Sequence, residues 1–522
     1  MTLSVSNRAR VEMGPVLAAA AVIAGTKAGE HMEWVGGGVP GLALMAAPCA
    51  VVLALAHRRR GRRRVAGLLL LAALGALAMA RALSGLEGDA SRLAASETEQ
   101  RVSVRLATDP QGRWTGARVP ARLEGVDDRA AGGTVLVVAQ RAAAERIRLL
   151  EAGESAVLLG HFRSLEGDER YWRWRHVAAV LDAHDLVGAG RAEPAVLRAA
   201  NGLRQRVLTG GEALGDIDRA LVAGFLVGDD RGLPPKVAAD FRAAGLTHLL
   251  VVSGANVTLA LALVAPILRR FGLLGRMIGG LTVLVVFAAM TRFEPSVLRA
   301  GAMSALALLA SFVGRPVAGM RFLALAVAGL LLVDPFLVHS LGFGLSCAAS
   351  AGILLLAGPI ASLLPGPTFI REPLAVTTAA QIGVAPVALP AFGQLPLVAL
   401  PANLAAAPAA AALSLWGLGS GVVAGSLKAL AGAADAGPLA LLQIPTALLA
   451  QWIRAVARVA AGSPIMIGPR PAILGALAVA ALAWRRRRSL RTRQPAERAP
   501  VPTSASSGSP TAPRGSASRP RK

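Results

Sequence analysis

Cysteine is nearly absent from this chain. Cys49 and Cys347 are the two present among 522 residues. Each lies in an apolar run and neither belongs to a C-x-x-C pair, which argues against a disulfide framework or a zinc knuckle. Tyrosine occurs once, aromatic residues make up 4% and charged residues 16%, too little charge for a soluble multidomain protein. The seven histidines, His31, His57, His161, His176, His184, His248 and His339, form no HxxxH, HExxH or HxHxD spacing, so the common metal-hydrolase patterns are missing. No G-x-x-x-x-G-K-[ST] loop is present, and the chain is not expected to hydrolyse ATP itself. The expectation is of no catalytic residue, no cofactor and no metal.

Apolar residues are what the chain has in abundance: 54% of the total, with a mean hydropathy of +0.54. Repeated apolar runs of roughly 17 to 25 residues are long enough to cross a hydrocarbon core as helices. The sequence therefore predicts a polytopic α-helical membrane protein. The formal charge of +24 is concentrated in RRRGRRR at residues 58–64 and in a tail that opens RRRR after Trp484. Such clusters can meet nucleic acid, but the positive-inside rule accounts for them more simply and places both in the cytoplasm. Both termini are then cytoplasmic. No small-residue cleavage site follows the first apolar run, which is expected to stay as a span.

Residues 1–90 read as N-terminal spans near 13–26, 39–56 and 65–83, the third delivering the chain to the outer face. Between 96 and 190 the character changes: VSVRLA, RVPARLEGV, TVLVVAQ and AVLLGHF set β-formers between Gly, Pro and Asp turns. This predicts a small inserted extracytoplasmic β domain, an OB-like barrel, although a sandwich gives much the same pattern. Residues 194–246 read as an amphipathic segment, interfacial or re-entrant. Residues 247–484 are nearly continuous membrane, with spans near 247–268, 277–291, 296–313, 318–333, 341–363, 373–391, 397–424, 439–461 and 470–484. The tail, 485–522, is polar and basic without apolar periodicity, and is expected to be disordered. Arg292, Arg454 and Arg458 fit the inside pattern of the other loop arginines poorly.

Polar residues inside spans cost free energy and usually face a bundle interior or a wet cavity. His248, Ser253, Gly254, Asn256, Arg299, Gln381 and Asn403 form that group. The stretch THLLVVSGANVTLAL at 247–261 concentrates four of them, and Ser253-Gly254 can loosen a helix where protein or water satisfies the freed backbone. Taken singly, each has a structural explanation in interhelical hydrogen bonds or close packing. In the β domain, RYWRWRH at 170–176 sets Tyr171, Trp172 and Trp174 among Arg173 and Arg175. On a strand, the two tryptophans would share one face and the two arginines the other, offering base stacking and phosphate contacts. Packing of the tryptophans in a core or at the membrane interface explains the same residues.

The order of segments resembles the ComEC competence-protein family of DNA-uptake channels. GDDRGLPPKVAADFRAAGLTHLLVVSGANV is similar to that family's GD-x-x-GL, amphipathic helix and T/S-H-L-L-x-x-SG-x-x-V block. PSVLRAGAM, GRPVAGMRFLALA, DPFLVHSLGFGLSCAASAGILLL and AAQIGVAPVALPAFGQLPLVALPANLAAAP follow in the family's order. The matched motif residues are Gly228, Asp229, Gly232, His248, Ser253, Gly254, Arg299, Arg315, Pro316, Asp334, Pro335, Gly342, Phe343, Ser346, Gln381, Asn403 and Pro408. Two positions depart, since many members carry histidine where Asn256 stands and glutamine where Gly344 stands. A metallo-β-lactamase-like domain found at the C-terminus of many relatives has no counterpart before the basic tail.

The resemblance implies a channel in the bacterial plasma membrane that moves single-stranded DNA inward during natural transformation. Residues 247–256 would line the path and Arg299 would touch phosphates. Its implied partners are single-stranded DNA, membrane lipids, a DNA receptor, a cytoplasmic motor ATPase, a separate nuclease and further copies of the chain. Two other classes compete: a secondary transporter of a small or lipidic solute, and an intramembrane hydrolase using Ser253. Ser253 sits in VVSGA rather than G-x-S-x-G, which weakens the hydrolase.

Overall fold

The computed structural model describes residues 5–32, 60–94, 98–112, 116–314, 319–431, 437–463 and 465–468. The expected spans at 39–56 and 470–484, the tail, Cys49, Arg315 and Pro316 lie outside them. The N-terminal region supplies α1 (Val5–Met32) and α2 (Arg60–Ser84), so Arg60 to Arg64 open a helix instead of filling a loop. The pair packs through small residues. A Cβ on Gly25 would stand 1.9 Å from the Ala72 carbonyl oxygen, and one on Gly75 2.6 Å from that of Val22. Glycine is what lets the two backbones touch.

The inserted domain is a closed barrel. Its strands are β1 (Gln100–Leu106), β2 (Gly116–Val126), β3 (Thr134–Gln140), β4 (Ser155–Arg163) and β5 (Ala179–Gly190). They pair in the ring β1-β2-β3-β5-β4-β1, with β3 and β5 parallel and the other pairs antiparallel. Closure excludes the sandwich and matches the five-stranded OB arrangement. Register shifts in the β1–β2 and β4–β5 pairs supply the extra bend that a small barrel needs. Alternation along the strands sends Val102, Val104, Val135, Val137, Leu158, Phe162 and Leu181 inward. Helix α3 (Arg141–Ile147), between β3 and β4, adds Ala143, Ala144 and Ile147 to that core.

The rest of the described chain is helical: α4 (Ala195–Gly210), α5 (Asp216–Val227), α6 (Pro235–Ala243), α7 (Gly254–Leu268), α8 (Leu273–Met290), α9 (Pro295–Phe312), α10 (Gly319–Val333), α11 (Leu341–Ala361), α12 (Thr368–Phe392), α13 (Ala399–Ala431) and α14 (Gly437–Ala461). Eight of the described helices are long and apolar enough to cross a membrane, and Gly319–Val333 is a shorter apolar one. The chain is a multi-pass membrane protein with a barrel inserted after its N-terminal helices. The 194–246 segment turns its apolar faces inward: Val207, Leu221, Phe225 and Phe241 are buried in one core with Val257, Phe287, Leu413 and Ile453. Arg454 also finds its reason here, since its Nη1 lies 3.1 Å from the buried Asp218 of α5.

Candidate functional site

The stretch before α7 does not continue as α-helix. Thr247–Leu249 form a 3-10 turn, the chain then extends, and Ser253 (φ −92°, ψ 159°) stands as the N-cap of α7, which starts at Gly254. Serine suits that backbone, and the first amides of α7 are left for other partners. Thr247 and His248 are exposed on the turn, and Asn256 one turn into the helix is buried. Asn256 donates Nδ2 to the Phe225 carbonyl (2.9 Å) and accepts at Oδ1 from Ser414 (3.2 Å) and Ser253 (3.3 Å). It therefore bolts α5, α7 and α13 together at the level of the break, while Ser253 has no histidine or carboxylate as a hydrogen-bond partner among the described residues.

Arg299 lies beside this break. It is 8% exposed on α9, donates Nε to Ser346 Oγ of α11 (2.8 Å) and Nη1 to Met303 Sδ (3.2 Å), and has no carboxylate partner among the described residues. A Cβ on Gly254 would stand 2.5 Å from its Nη2, so only glycine lets the guanidinium lie against the start of α7. The structure thus joins Gly254, Arg299 and Ser346, three positions far apart in sequence. It does not join Gln381 or Asn403 to them by hydrogen bonds. Gln381 on α12 is half-buried without a hydrogen-bond partner among the described residues. Asn403 donates to the Ala399 carbonyl of its own helix (2.7 Å).

A second polar cluster ties the barrel to the helices. Arg204 of α4, 1% exposed, reaches Asp109 Oδ2 (2.9 Å), just past β1, and Asp229 Oδ2 (3.1 Å), in the loop after α5. Its Nη1 donates to the Val227 and Met290 carbonyls. Arg292 reaches Asp109 Oδ1 (2.6 Å) and donates to Asn201 Oδ1 (2.6 Å). Arg231 grips Asp229 with Nε (2.8 Å) and Nη2 (2.6 Å). Arg292 and Phe293 both adopt left-handed backbone, at φ 56° and 55°, a strained pair that the surrounding structure must hold. Arg292 was a topological misfit in the sequence because its task is this pairing. Asp109, Asn201 and Arg204 carried no local signal.

Burial alone would raise the Asp109 carboxyl, but Arg204 and Arg292 hold it below its usual range. At Asp229, burial is likewise outweighed, by Arg231 and then Arg204, and the carboxyl sits at about 2. A carboxyl lowered in the folded state stabilises above its unfolded value, and that contribution disappears as pH falls through the folded one. The seam should therefore hold at pH 5 and loosen between about pH 4 and pH 2, with Asp229 alone contributing roughly 2 kcal/mol. Tryptophan fluorescence followed through acid titration checks this, and a seam signal flat across that window would count against it.

The third feature corrects an expectation. Residues Gly167–Arg175 form a 3-10 turn, so the strand that was to place Trp172 and Trp174 on one face does not exist. Trp174 is stacked on His339 (3.7 Å between centroids, 12° between planes) and meets Phe336 edge-on (5.7 Å). His176 Nε2 lies 3.1 Å from Asp334 Oδ1. Trp174 thus docks the barrel on the turn between α10 and α11 and has that face engaged. Tyr171 remains exposed, and Arg175 lies over the rings of Tyr171 (5.6 Å) and Trp172 (5.2 Å). Arg173 is exposed on the same turn.

The family model described as "Competence protein" matches residues 225–488, half of the chain, and takes in the break before α7, Arg299 and Ser346. The chain belongs to this family. ComE operon protein 3 of Bacillus subtilis is 29% identical over 211 residues, 40% of this chain and 27% of that protein. The uncharacterized protein YcaI of Escherichia coli is 28% identical over 144 residues, 26% of this chain and 19% of its own length. An uncharacterized protein of Aquifex aeolicus is 34% identical over 138 residues, 26% of this chain and 33% of its own length. The matches thus span a third or less of each relative. No solved structure matches.

Proposed function

We propose that this chain conducts single-stranded DNA inward across the bacterial plasma membrane, in the uptake of DNA for natural transformation. One observation carries the reading: Arg299 is a buried guanidinium among membrane-spanning helices with no carboxylate partner among the described residues. A charge at that depth is costly, and a passing phosphate repays the cost without the permanent neutralisation that a resident carboxylate would impose. The neighbouring start of α7 has no side-chain cap and presents the positive end of its dipole, which favours the same anion. His248 and Ser253 extend this polar lining outward, and the N- and C-termini are cytoplasmic in this arrangement. Weak contacts suit a path that must release what it binds. A motor ATPase, a nuclease and a DNA receptor are the activities this reading calls on as partners.

Uptake of marked DNA by a deletion strain, complemented with the wild type, Arg299→Gln or Arg299→Lys at matched membrane levels, tests this. Glutamine can still donate to Ser346 but carries no charge, and uptake should fall at least about tenfold, the equivalent of 1.4 kcal/mol. Lysine should restore part of it. Normal uptake with Arg299→Gln would remove Arg299 from the path, and normal uptake by the deletion strain would remove the function.

A further inference from the structure

A cleft of about 700 Å³ opens where the barrel meets the helical part. Pro110, Gly112 and Arg148 line it from the barrel, Arg231 and Pro234 from the loop between α5 and α6, and Pro235 from the start of α6. Its size falls within the ~300–1,000 Å³ range of ligand-binding clefts. Its charge is unbalanced. On the helical side, Arg204, Arg231 and Arg292 are matched by three carboxylates, Asp109 and Asp229 in ion pairs and Glu151 close by, so the excess positive charge comes from the rest of the cleft. On the barrel side, Arg148 donates Nη2 to the Gly116 carbonyl (2.6 Å), keeps a buried Nε without a hydrogen-bond partner, and has no carboxylate partner among the described residues. Lys236, just beyond Pro235, is exposed without an ion pair among the described residues. The remaining walls are proline, glycine and Leu233, which offer apolar surface and close backbone approach, with no acidic side chain among the described lining residues.

We propose that this cleft is the receiving site for the strand, where Arg148 takes the phosphodiester backbone, helped by the edge of Arg231 that does not grip Asp229, and the prolines face sugar and base. The proposal rests on the DNA-conducting function and adds the place where the strand is first held. It also assigns a use to the Asp109–Arg204–Asp229 network: it fixes the two walls of the cleft, one from each part of the molecule, at a set distance. A site built from backbone-directed arginines without base-edge donors accepts any sequence, as single-strand carriers do.

The test measures binding of a fluorescein-labelled oligodeoxythymidylate by anisotropy, with the full chain in nanodiscs of zwitterionic lipid, across a salt series. Arg148→Gln keeps a donor for the Gly116 carbonyl and removes the charge, and its melting temperature shows whether the fold is intact. Its Kd should rise about three- to tenfold, and the slope of log K against log salt should drop by about 0.7, the counterion share of one single-strand phosphate. Arg148→Lys should keep the wild-type slope. An unchanged Kd and slope in Arg148→Gln would overturn the cleft while leaving the conduit standing. Loss of wild-type oligonucleotide binding when anionic lipid is added at constant salt, absent in Arg148→Gln, would make the occupant a lipid headgroup and overturn the proposal equally. Failure of the wild type to bind the oligonucleotide at low salt would overturn the cleft, and combined with normal uptake by the deletion strain it would end the conduit as well.

Discussion

Asp109→Ala should destabilise the union of barrel and helices by about 3–5 kcal/mol, the usual cost of removing one partner from a buried ion pair. Arg204 is 1% exposed, and the Arg292 side chain is 9% exposed in its pair with Asp109. The substitution takes from Arg292 its ion-pair partner and leaves Arg204 with an Asp229 already shared with Arg231. It also removes the acceptor for the Ala152 amide, which Asp109 Oδ1 binds at 3.0 Å. The barrel's own core of Val102, Leu158, Phe162 and Leu181 is untouched, so the barrel should stay folded while its attachment fails. Limited proteolysis of the linker at 191–194, beside thermal unfolding in detergent, separates these outcomes. Asp109→Asn should fall between, since the amide oxygen still accepts from Ala152. Adding Arg292→Leu to Asp109→Ala should recover part of the loss, because the stranded cation goes with its partner. A variant that melts and resists protease like the wild type would show that the network does not hold the seam.

The parts of the molecule legible in its sequence are those governed by local periodicity. Apolar runs located most of the described spans, and β-formers between turns located the barrel, because burial of one face or one span writes a repeating pattern into neighbouring residues. The unwinding before α7 was legible for the same reason: His248, Ser253 and Gly254 interrupt a run that would otherwise be uniform. The union of the two parts was not. Asp109 and Arg204 meet across 95 positions, and nothing near either residue distinguishes it from a solvated charge; only Arg292, out of place by the positive-inside rule, hinted at a partner. RYWRWRH misled because alternation of aromatic and basic residues has the period of a strand, whereas here Glu166 and Glu169 form a capping box that starts a 3-10 turn, and Arg163 fixes Glu169 by two hydrogen bonds (2.5 and 2.9 Å). Tertiary pairing overrode the local pattern.

Gly383→Val should disrupt the helical part without replacing any polar residue discussed above. Gly383 on α12 and Gly352 on α11 face each other. A Cβ on the first would stand 2.4 Å from the Ala348 carbonyl oxygen, and one on the second 2.4 Å from that of Ala379. Both obstructing atoms are backbone, so no rotamer change makes room, and the helices must separate or slide. Overpacking typically costs about 1–3 kcal/mol, and a β-branched side chain against backbone belongs at or above the upper end. The consequence reaches the candidate path through Ser346, which lies on α11 between its start and Gly352 and anchors Arg299 at 2.8 Å. Moving α11 withdraws that hydroxyl and frees the guanidinium to leave the start of α7. Gly383→Val should therefore lower both thermal stability and DNA uptake, and Gly383→Ala should do so less. The comparison with Arg299→Gln is informative: that change should lower uptake with little loss of stability, because it alters charge and leaves packing intact. Equal stability of Gly383→Val and wild type would mean that α11 and α12 are not pressed together at this crossing, and the position of Ser346 would then need another support.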